Sequence, residues 1–131
     1  MIYNFNLKTP AEGFIDITSK VKEALKESQI LEGICIIYSP HTTAGITINE
    51  NADPAVAKDL IFALKETFPD KKDFTHLEGN SAAHLKASAV GSSATIIISK
   101  GKLFLGTWQS IYFCEFDGPR NRTFVVKIIK G

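Results

Sequence analysis

Cysteine is scarce in this sequence, which has only Cys35 and Cys114 in 131 residues. Each lies in an apolar run, "GICIIYS" or "IYFCEF", and the two form no CxxC pair. This pattern is typical of small buried thiols and gives no sign of a disulfide framework or an oxidising compartment. We therefore expect a cytoplasmic protein that folds without covalent cross-links, as a chain of this length can.

Long hydrophobic runs and excess charge are also missing. The most apolar stretches, such as residues 96–98, are of strand length, whereas a membrane-spanning helix needs about 20 residues. The first residues, "MIYNFNLKTP", lack the basic and apolar regions of a secretory signal. A net charge of +1 gives no general reason to bind nucleic acid or a membrane. The length and a hydrophobic content of 44% predict one globular domain over residues 1–131.

Arginine is rare, since only Arg120 and Arg122 are arginines among fifteen basic residues. They lie two positions apart in "DGPRNR". The planar guanidinium group binds carboxylate or phosphate through two parallel hydrogen bonds, which lysine cannot reproduce. The pair is thus a candidate phosphate site, with two solvated loop arginines as the alternative.

Periodicity and turn residues predict most of the secondary structure. Alternating or continuous apolar runs predict strands, and residues 19–28, 54–68 and 82–90 have helical spacing, with Ser19 and either Asn80 or Ser81 as caps. Helices and strands interleave early and strands follow one another later, which is typical of an α+β domain with a mainly antiparallel sheet. The predicted strands cover residues 2–7, 14–18, 34–39, 45–50, 94–99, 103–105, 111–116 and 122–129.

Asp53 precedes Pro54 at the start of the clearest helix. An Asp before a Pro is well explained as an N-cap, and a role in a functional site is the competing interpretation. The same helix has an apolar stripe, which predicts one buried face. The stripe consists of Val56, Leu60, Ile61 and Leu64.

The three histidines, His41, His76 and His84, each lie in a polar context near a glycine, a proline or a predicted cap. No HxxxH or HExxH spacing joins them, so a shared site would have to be assembled by the fold. Three imidazoles with one open position are a common zinc arrangement. Scattered structural or surface histidines are the alternative on spacing alone.

Two further features lie near the end of the chain. Glu115 and Asp117 are two residues apart, which predicts one strand face and a mixed-charge rim beside the arginines. Trp108 is the only tryptophan, and we expect it in the core, with stacking on a substrate as the alternative.

Three long motifs resemble a known family. "HTTAGITINENADP", "HLEGNSAAHLKASAVGSS" and "GTWQSIYFCEFDGPRNR" are similar to motifs of the YjbQ family, also called UPF0047, and the likeness extends from about residue 14 to 129. The resemblance implies a mainly antiparallel β-sandwich with two to three helices. It also implies a homotrimer with sites near the subunit boundaries.

The resemblance further implies site residues. His41, His76 and His84 match the family's histidine positions, where a divalent metal, zinc, is expected. Glu50 and Asp53 are the catalytic candidates, and one pocket is expected to contain both ends of "SPHTTAGITINENADP". The predicted substrate-binding side chains are Thr42, Thr43, Asn49, Asn51, Arg120 and Arg122.

Two positions depart from the family pattern. Ala82 replaces a frequent aspartate two residues before His84, and Ser110 replaces a frequent glycine. The first change removes a carboxylate that could support that histidine as a base or an outer-shell partner.

The family is associated with a secondary thiamine-phosphate synthase activity, which joins a pyrimidine methyl diphosphate to a thiazole phosphate. The usual synthase for this step resembles a (β/α)₈ barrel, and 131 residues cannot form one. The resemblance therefore implies a separate solution acting on phosphorylated small molecules. The alternatives are a metal- or small-ligand-binding trimer without turnover and a metal-dependent phosphoester hydrolase.

Overall fold

The computed structural model describes all 131 residues, as eight strands and three helices. The strands are β1 (Ile2–Lys8), β2 (Gly13–Asp16), β3 (Gly33–Tyr38), β4 (Ala44–Glu50), β5 (Ser93–Ser99), β6 (Lys102–Leu103), β7 (Gln109–Glu115) and β8 (Asn121–Lys130). The helices are α1 (Thr18–Ser28), α2 (Pro54–Thr67) and α3 (Ser81–Val90).

The strands form two antiparallel sheets. One has the order β1-β8-β3-β5-β6, and the other has the order β2-β7-β4. The predicted α+β sandwich with a mainly antiparallel arrangement is confirmed. None of the three helices combines the length and the apolar character needed to cross a membrane.

The main core lies between the two sheets. Fifteen buried residues form one cluster, drawn from the facing sides of both sheets and from one side of α1. Phe113 on β7 and Phe124 on β8 meet there with ring centroids 6.3 Å apart, and Val21 and Leu25 of α1 join them. Because strand residues alternate between faces, every second residue of β7 and β8 points into this layer.

A smaller core lies on the other side of the three-stranded sheet, under α3. Its buried members are Ala83, Ala87, Tyr112, Cys114 and Phe116. The small residues of α3 allow the helix to approach the sheet closely.

The end of α3 lies against the start of β4. The Ile46 N–H donates to the Gly91 carbonyl oxygen at 3.0 Å. A Cβ atom on Gly45 would lie only 2.6 Å from that oxygen, so residue 45 must be glycine for this approach. The contact fixes α3 beside the loop that precedes β4.

The first helix starts one residue earlier than predicted and ends where predicted. The strand predicted to residue 18 ends at Asp16, and α1 starts at Thr18. Asp16 Oδ1 accepts the Thr18 N–H at 2.9 Å. Ser19 therefore does not cap the helix. The helix ends at Ser28, as predicted, and the C-cap Gln29 has a left-handed φ of 59°.

The second helix begins as predicted. Asp53 is its N-cap, with Oδ1 accepting the Ala55 N–H at 2.9 Å, and Pro54 is the first helical residue. The apolar stripe of α2 is less covered than predicted, since its four residues are only half-buried in the single chain. Phe62, outside the stripe, is 65% exposed.

We expect Asp53→Ala to lower the free energy of unfolding by about 1 kcal/mol, because the Ala55 N–H loses its acceptor. Asp53→Asn should retain nearly all of the stability, since asparagine caps equally well. Urea unfolding of the three proteins measures both values. An asparagine variant as unstable as the alanine variant would contradict the capping role.

Candidate functional site

The strongest candidate site is a pocket between the start of β4 and α3, which we call the histidine pocket. It has a volume of about 440 Å³, and its polar lining consists of two imidazoles and several hydroxyl groups. Its lining residues are His41, Thr42, Ala44, His84, Ala87, Ser88, Gly91 and Ser92. Such a lining suits a polar or anionic ligand.

His41 is held by the backbone of β8. Its Nε2 atom lies 3.0 Å from both the N–H and the carbonyl oxygen of Thr123, so that the tautomer decides whether Nε2 accepts or donates. Burial lowers the pKa of His41 below its ordinary value, and the Arg122 guanidinium lowers it further. The Thr123 hydrogen bond and the Glu115 charge only partly offset this. His41 therefore stays neutral near pH 7, and Nδ1 is its free nitrogen.

His84 and His76 lie side by side. Their ring centroids are 5.4 Å apart and the rings are nearly perpendicular. His84 is on α3, whereas His76 comes from the loop between α2 and α3. The fold therefore brings His84 together with His41 in one pocket and with His76 as a neighbour.

The three histidines do not make a metal site within one chain. No group of three or more His, Cys, Asp or Glu side chains is arranged to hold a metal ion. His41 directs Nε2 to Thr123, and only His76 and His84 are in edge-to-face contact with each other. One chain thus offers two neighbouring imidazoles rather than three converging ones.

Arg120 belongs to a polar network that begins beside His76. Glu78 Oε1 lies 4.0 Å from His76 Nε2, and Glu78 Oε2 lies 3.6 Å from Arg120 Nη2. Arg120 also donates to Asp117 Oδ2 at 2.9 Å and to the Asp117 carbonyl oxygen at 2.6 Å. Its side chain is 46% exposed, so it remains accessible to an anion. The "HLEGN" and "DGPR" motifs therefore meet in space.

Arg122, the other predicted phosphate-binding arginine, is buried. It is only 5% exposed and donates to both carboxylate oxygens of Glu115, which is 0% exposed. Its Nη2 also donates to Thr43 Oγ1 at 2.8 Å, and Thr9 donates its hydroxyl to Glu115 Oε1 at 2.6 Å. The prediction that Arg122 and Thr43 face a substrate is wrong for this chain, because both are engaged inside the sandwich.

The predicted rim of Glu115 and Asp117 needs the same correction. β7 ends at Glu115, which points into the core, and only Asp117 lies at the surface beside Arg120. The strand pattern could have shown this. Glu115 has the same parity as Ile111 and Phe113, so a residue at that position points inward. Arg122 likewise shares the parity of Phe124, Val126 and Ile128 on β8, all of them buried.

The two ends of "SPHTTAGITINENADP" do not form one pocket in a single chain. β4 runs uninterrupted from Ala44 to Glu50, and six residue steps of a strand span about 20 Å. His41 and Thr42 therefore lie at one end, and the acidic candidates lie at the other. The predicted residues at the second end are Asn49, Glu50, Asn51 and Asp53.

Asn51 organises that second end. Its Oδ1 accepts the Tyr112 hydroxyl at 2.8 Å, and its Nδ2 donates to Asp16 Oδ2 at 2.7 Å. Its N–H donates to the carbonyl oxygen of Trp108, whose side chain is 66% exposed. The prediction of a buried tryptophan is wrong, since Trp108 lies in a turn outside the core, beside Glu50.

We expect Glu115→Gln to destabilise the protein by about 3–5 kcal/mol, because it leaves the Arg122 charge buried without a counter-ion. The double variant Glu115→Leu/Arg122→Met removes both charges and should lose much less. Thermal and urea unfolding of both proteins measure the difference. Equal losses in both variants would contradict the ion pair as the source.

The same pair has a predictable pH dependence. Burial raises the pKa of Glu115, but hydrogen bonds from Arg122 and Thr9 outweigh it and hold the pKa below its usual value. The ionised Glu115 therefore contributes its full stabilisation to the folded protein above the unfolded carboxyl pKa of about 4.3. This contribution is lost as the pH falls through the pKa of Glu115 in the folded protein. The stability gap between wild type and Glu115→Gln should shrink below about pH 4.

Comparison with known proteins identifies the family. The sequence matches the family described as UPF0047 protein YjbQ-like over residues 3–131. A UPF0047 protein of Methanocaldococcus jannaschii is 57% identical over 130 residues, which cover 98% of this chain and 94% of that protein. The UPF0047 protein YugU of Bacillus subtilis is 51% identical over 131 residues, or 98% and 99% of the two chains.

Solved structures agree in fold. A YjbQ/UPF0047 protein of Clostridium acetobutylicum has a TM-score of 0.95 and 57% identity, covering 97% of this chain and 99% of that one. A YbjQ-like protein of unknown function from Sulfolobus solfataricus also has a TM-score of 0.95 at 31% identity, over 100% and 97%. With the full-length match and these likenesses, the chain belongs to the YjbQ family, UPF0047.

Proposed function

We propose that the protein is a transferase of the secondary thiamine-phosphate synthase type, acting on phosphorylated small molecules at the histidine pocket. The observation that supports this most is the continuous set of polar groups from the pocket to Arg120. His84 lines the pocket, His76 contacts the His84 ring edge-to-face, and Glu78 lies between His76 and Arg120. Imidazoles beside an accessible guanidinium suit a substrate that carries phosphate.

In this reaction, the C–O bond between the pyrimidine methylene group and diphosphate breaks, and a C–N bond to the thiazole nitrogen forms. No electrons are exchanged with a third reactant. Negative charge develops on the departing diphosphate, and Arg120 would stabilise it. Neutral His41 would orient a phosphate or hydroxyl group through Nδ1, beside the hydroxyl of Thr42.

The separation of the two ends of β4 favours a site shared between subunits. Glu50 lies about 20 Å along β4 from Ala44, which lines the histidine pocket, and Asp53, the other acid, base or orienting candidate, follows Glu50 at the start of α2. A homotrimer would allow the Glu50 end of one subunit to meet the histidine pocket of the next. The uncovered helix α2, with Phe62 65% exposed, supplies apolar surface for such an assembly.

A divalent metal, zinc, remains a separate proposal. His76 and His84 are close enough to serve as two ligands, but one chain does not complete a three-histidine site. If His41 took part, Nδ1 would be its ligand atom and Nε2–H would donate to the Thr123 carbonyl oxygen. The proposed transfer does not depend on this ion. The phosphoester hydrolase alternative, which needs a metal-bound water, gains no support from a single chain.

The alternative of another class is a small-ligand-binding trimer without turnover. It is favoured by the placement of the carboxylates, since no acidic side chain lines the histidine pocket. The two proposals differ in what Glu50→Gln does: a transferase loses turnover and keeps its fold, whereas a binding protein changes only in affinity.

The shared site can be tested by mixing subunits. We expect His84→Ala and Glu50→Gln each to lower thiamine phosphate formation at least about tenfold. In trimers assembled from both variant chains, about a quarter of the sites regain both native residues. Thiamine phosphate formation by the mixed trimers should therefore return to about a quarter of the wild-type activity. Light scattering on the same samples establishes that they are trimers. Glu23→Gln, an exposed change on α1, is the matched control.

Each outcome decides a different point. No recovery in mixed trimers would contradict the shared site. Unchanged activity in Glu50→Gln would contradict the role of that carboxylate. Absence of thiamine phosphate formation by well-folded wild-type trimers would overturn the transferase in favour of the binding protein.

The metal proposal has its own measurement. Untagged protein purified without chelator should contain about one zinc ion per chain by elemental analysis, and His84→Ala should lose it. Exposed lysine variants such as Lys22→Gln provide the control for non-specific uptake. Well-folded wild type that contains no metal and takes up none from excess zinc would contradict the proposal.

A further inference from the structure

A second cavity lies on the opposite face of α3 from the histidine pocket. It has a volume of about 300 Å³ and is bounded by α3 and by the turn that follows β7. Lys86 lines this cavity, whereas His84 and Ser88 line the histidine pocket. Residues two positions apart on a helix point about 200° apart, so α3 forms the wall between the two spaces. We call this space the α3 cavity.

Lys86 is a buried charged residue whose ammonium group has unused hydrogen-bond donors. The residue is 6% exposed, and its Nζ donates to Glu12 Oε2 at 2.9 Å. An ammonium group has three N–H donors, and Glu12 is the one partner that the structure provides. Two donors remain for a group inside the cavity.

Asn80 provides an unmet acceptor on the same lining. Its Oδ1 is the one buried side-chain polar atom of the protein without a hydrogen-bond partner. Two carboxylates fix the orientation of the amide, because Nδ2 donates to Glu78 Oε2 at 3.0 Å and to Asp117 Oδ2 at 2.8 Å. An unsatisfied buried acceptor is destabilising, so this residue marks a part of the cavity lining where a polar partner is missing.

The charges around the cavity are mixed. Lys65 and Lys86 are basic, and Glu12, Asp70 and Asp117 are acidic. Burial raises the pKa of Asp117, but hydrogen bonds from Asn80 and Arg120 lower it by more, so this carboxylate stays ionised. A simple anion would meet three carboxylates, and a simple cation would meet a buried ammonium group. Only a ligand with both charges finds a partner for each.

We infer that the α3 cavity binds a small zwitterion, a molecule with an ammonium group at one end and a carboxylate or phosphate at the other. The ammonium group would face Asp117 beside Asn80, and the anionic group would accept from Lys86. Asn80, the N-cap, and Lys86 are six residue steps apart, which is about 9 Å along the axis. The small side chains of Ala82 and Ala83 leave room for a narrow ligand between them. This site does not depend on the proposed transferase.

The test uses a series of ω-amino acids, from glycine to 5-aminopentanoate, in which the distance between the ammonium group and the carboxylate increases. Each is added to the full-length protein at up to about 50 mM. The probes are compared with butylamine and butyrate, which carry one charge each. The expected result is saturable movement of the backbone amide resonances of Gly79, Ala82 and Lys86 by at least one amino acid. Its affinity should exceed that of the matched amine and acid by at least about tenfold. Resonances of Ser88 and Gly91, in the histidine pocket, should move less.

Two variants connect the binding to the cavity. Lys86→Met should weaken the binding of the best amino acid at least about tenfold. Ser88→Ala, on the other face of α3, should leave this affinity unchanged. If the methionine variant folds poorly, Ala82→Asp serves instead. It places a carboxylate one turn before Lys86, where it would occupy the ammonium group and exclude the anionic end of the probe.

The inference is overturned if no amino acid of the series moves these resonances. It is also overturned if butyrate or butylamine binds as tightly as the best amino acid. Undiminished binding in Ala82→Asp would show that the probe lies elsewhere. None of these outcomes bears on thiamine phosphate formation, whose test depends on His84 and Glu50.

Discussion

The Glu115–Arg122 ion pair lies between the two sheets, where each side chain would be costly without the other. The pair connects four parts of the chain, since Thr9 donates to Glu115 and Thr43 accepts from Arg122. Thr123, the next residue of β8, holds the ring of His41. The position of the histidine pocket therefore depends on this buried pair. An arginine that first suggested substrate binding instead orders the loop that carries the pocket.

Helix α3 is the second organising element. The close approach of Gly91 to Gly45 fixes its end against β4, and small residues on its inner side allow it to lie flat on the sheet. The remaining faces of the helix then point into two different spaces. His84 serves the histidine pocket, and Lys86 serves the α3 cavity. Asn80, just before the helix, donates to Glu78 and Asp117, the two carboxylates that also contact Arg120.

The proposed site has two halves that one chain keeps apart. The rigid strand β4 separates the histidines from Glu50, and the exposed Trp108 accompanies the acidic end. A seven-residue strand paired along its length with β7 does not bend to close that distance. In the proposed homotrimer, neighbouring subunits would unite the halves. It would also cover the apolar surface that α2 leaves exposed, including Phe62.

The sequence by itself determined the elements and the class of fold, because local periodicity, Asp53 before Pro54 and the late run of strands depend on neighbours along the chain. The parity of Glu115 and Arg122 was also readable, since alternation on a strand is a local property. Only the tertiary structure decided which polar residues meet. The contact of His76 with His84, the network at Arg120 and the exposure of Trp108 depend on how two sheets and α3 pack. Adjacency in "SPHTTAGITINENADP" suggested one pocket, but a straight strand carries neighbouring motifs to opposite ends of the molecule.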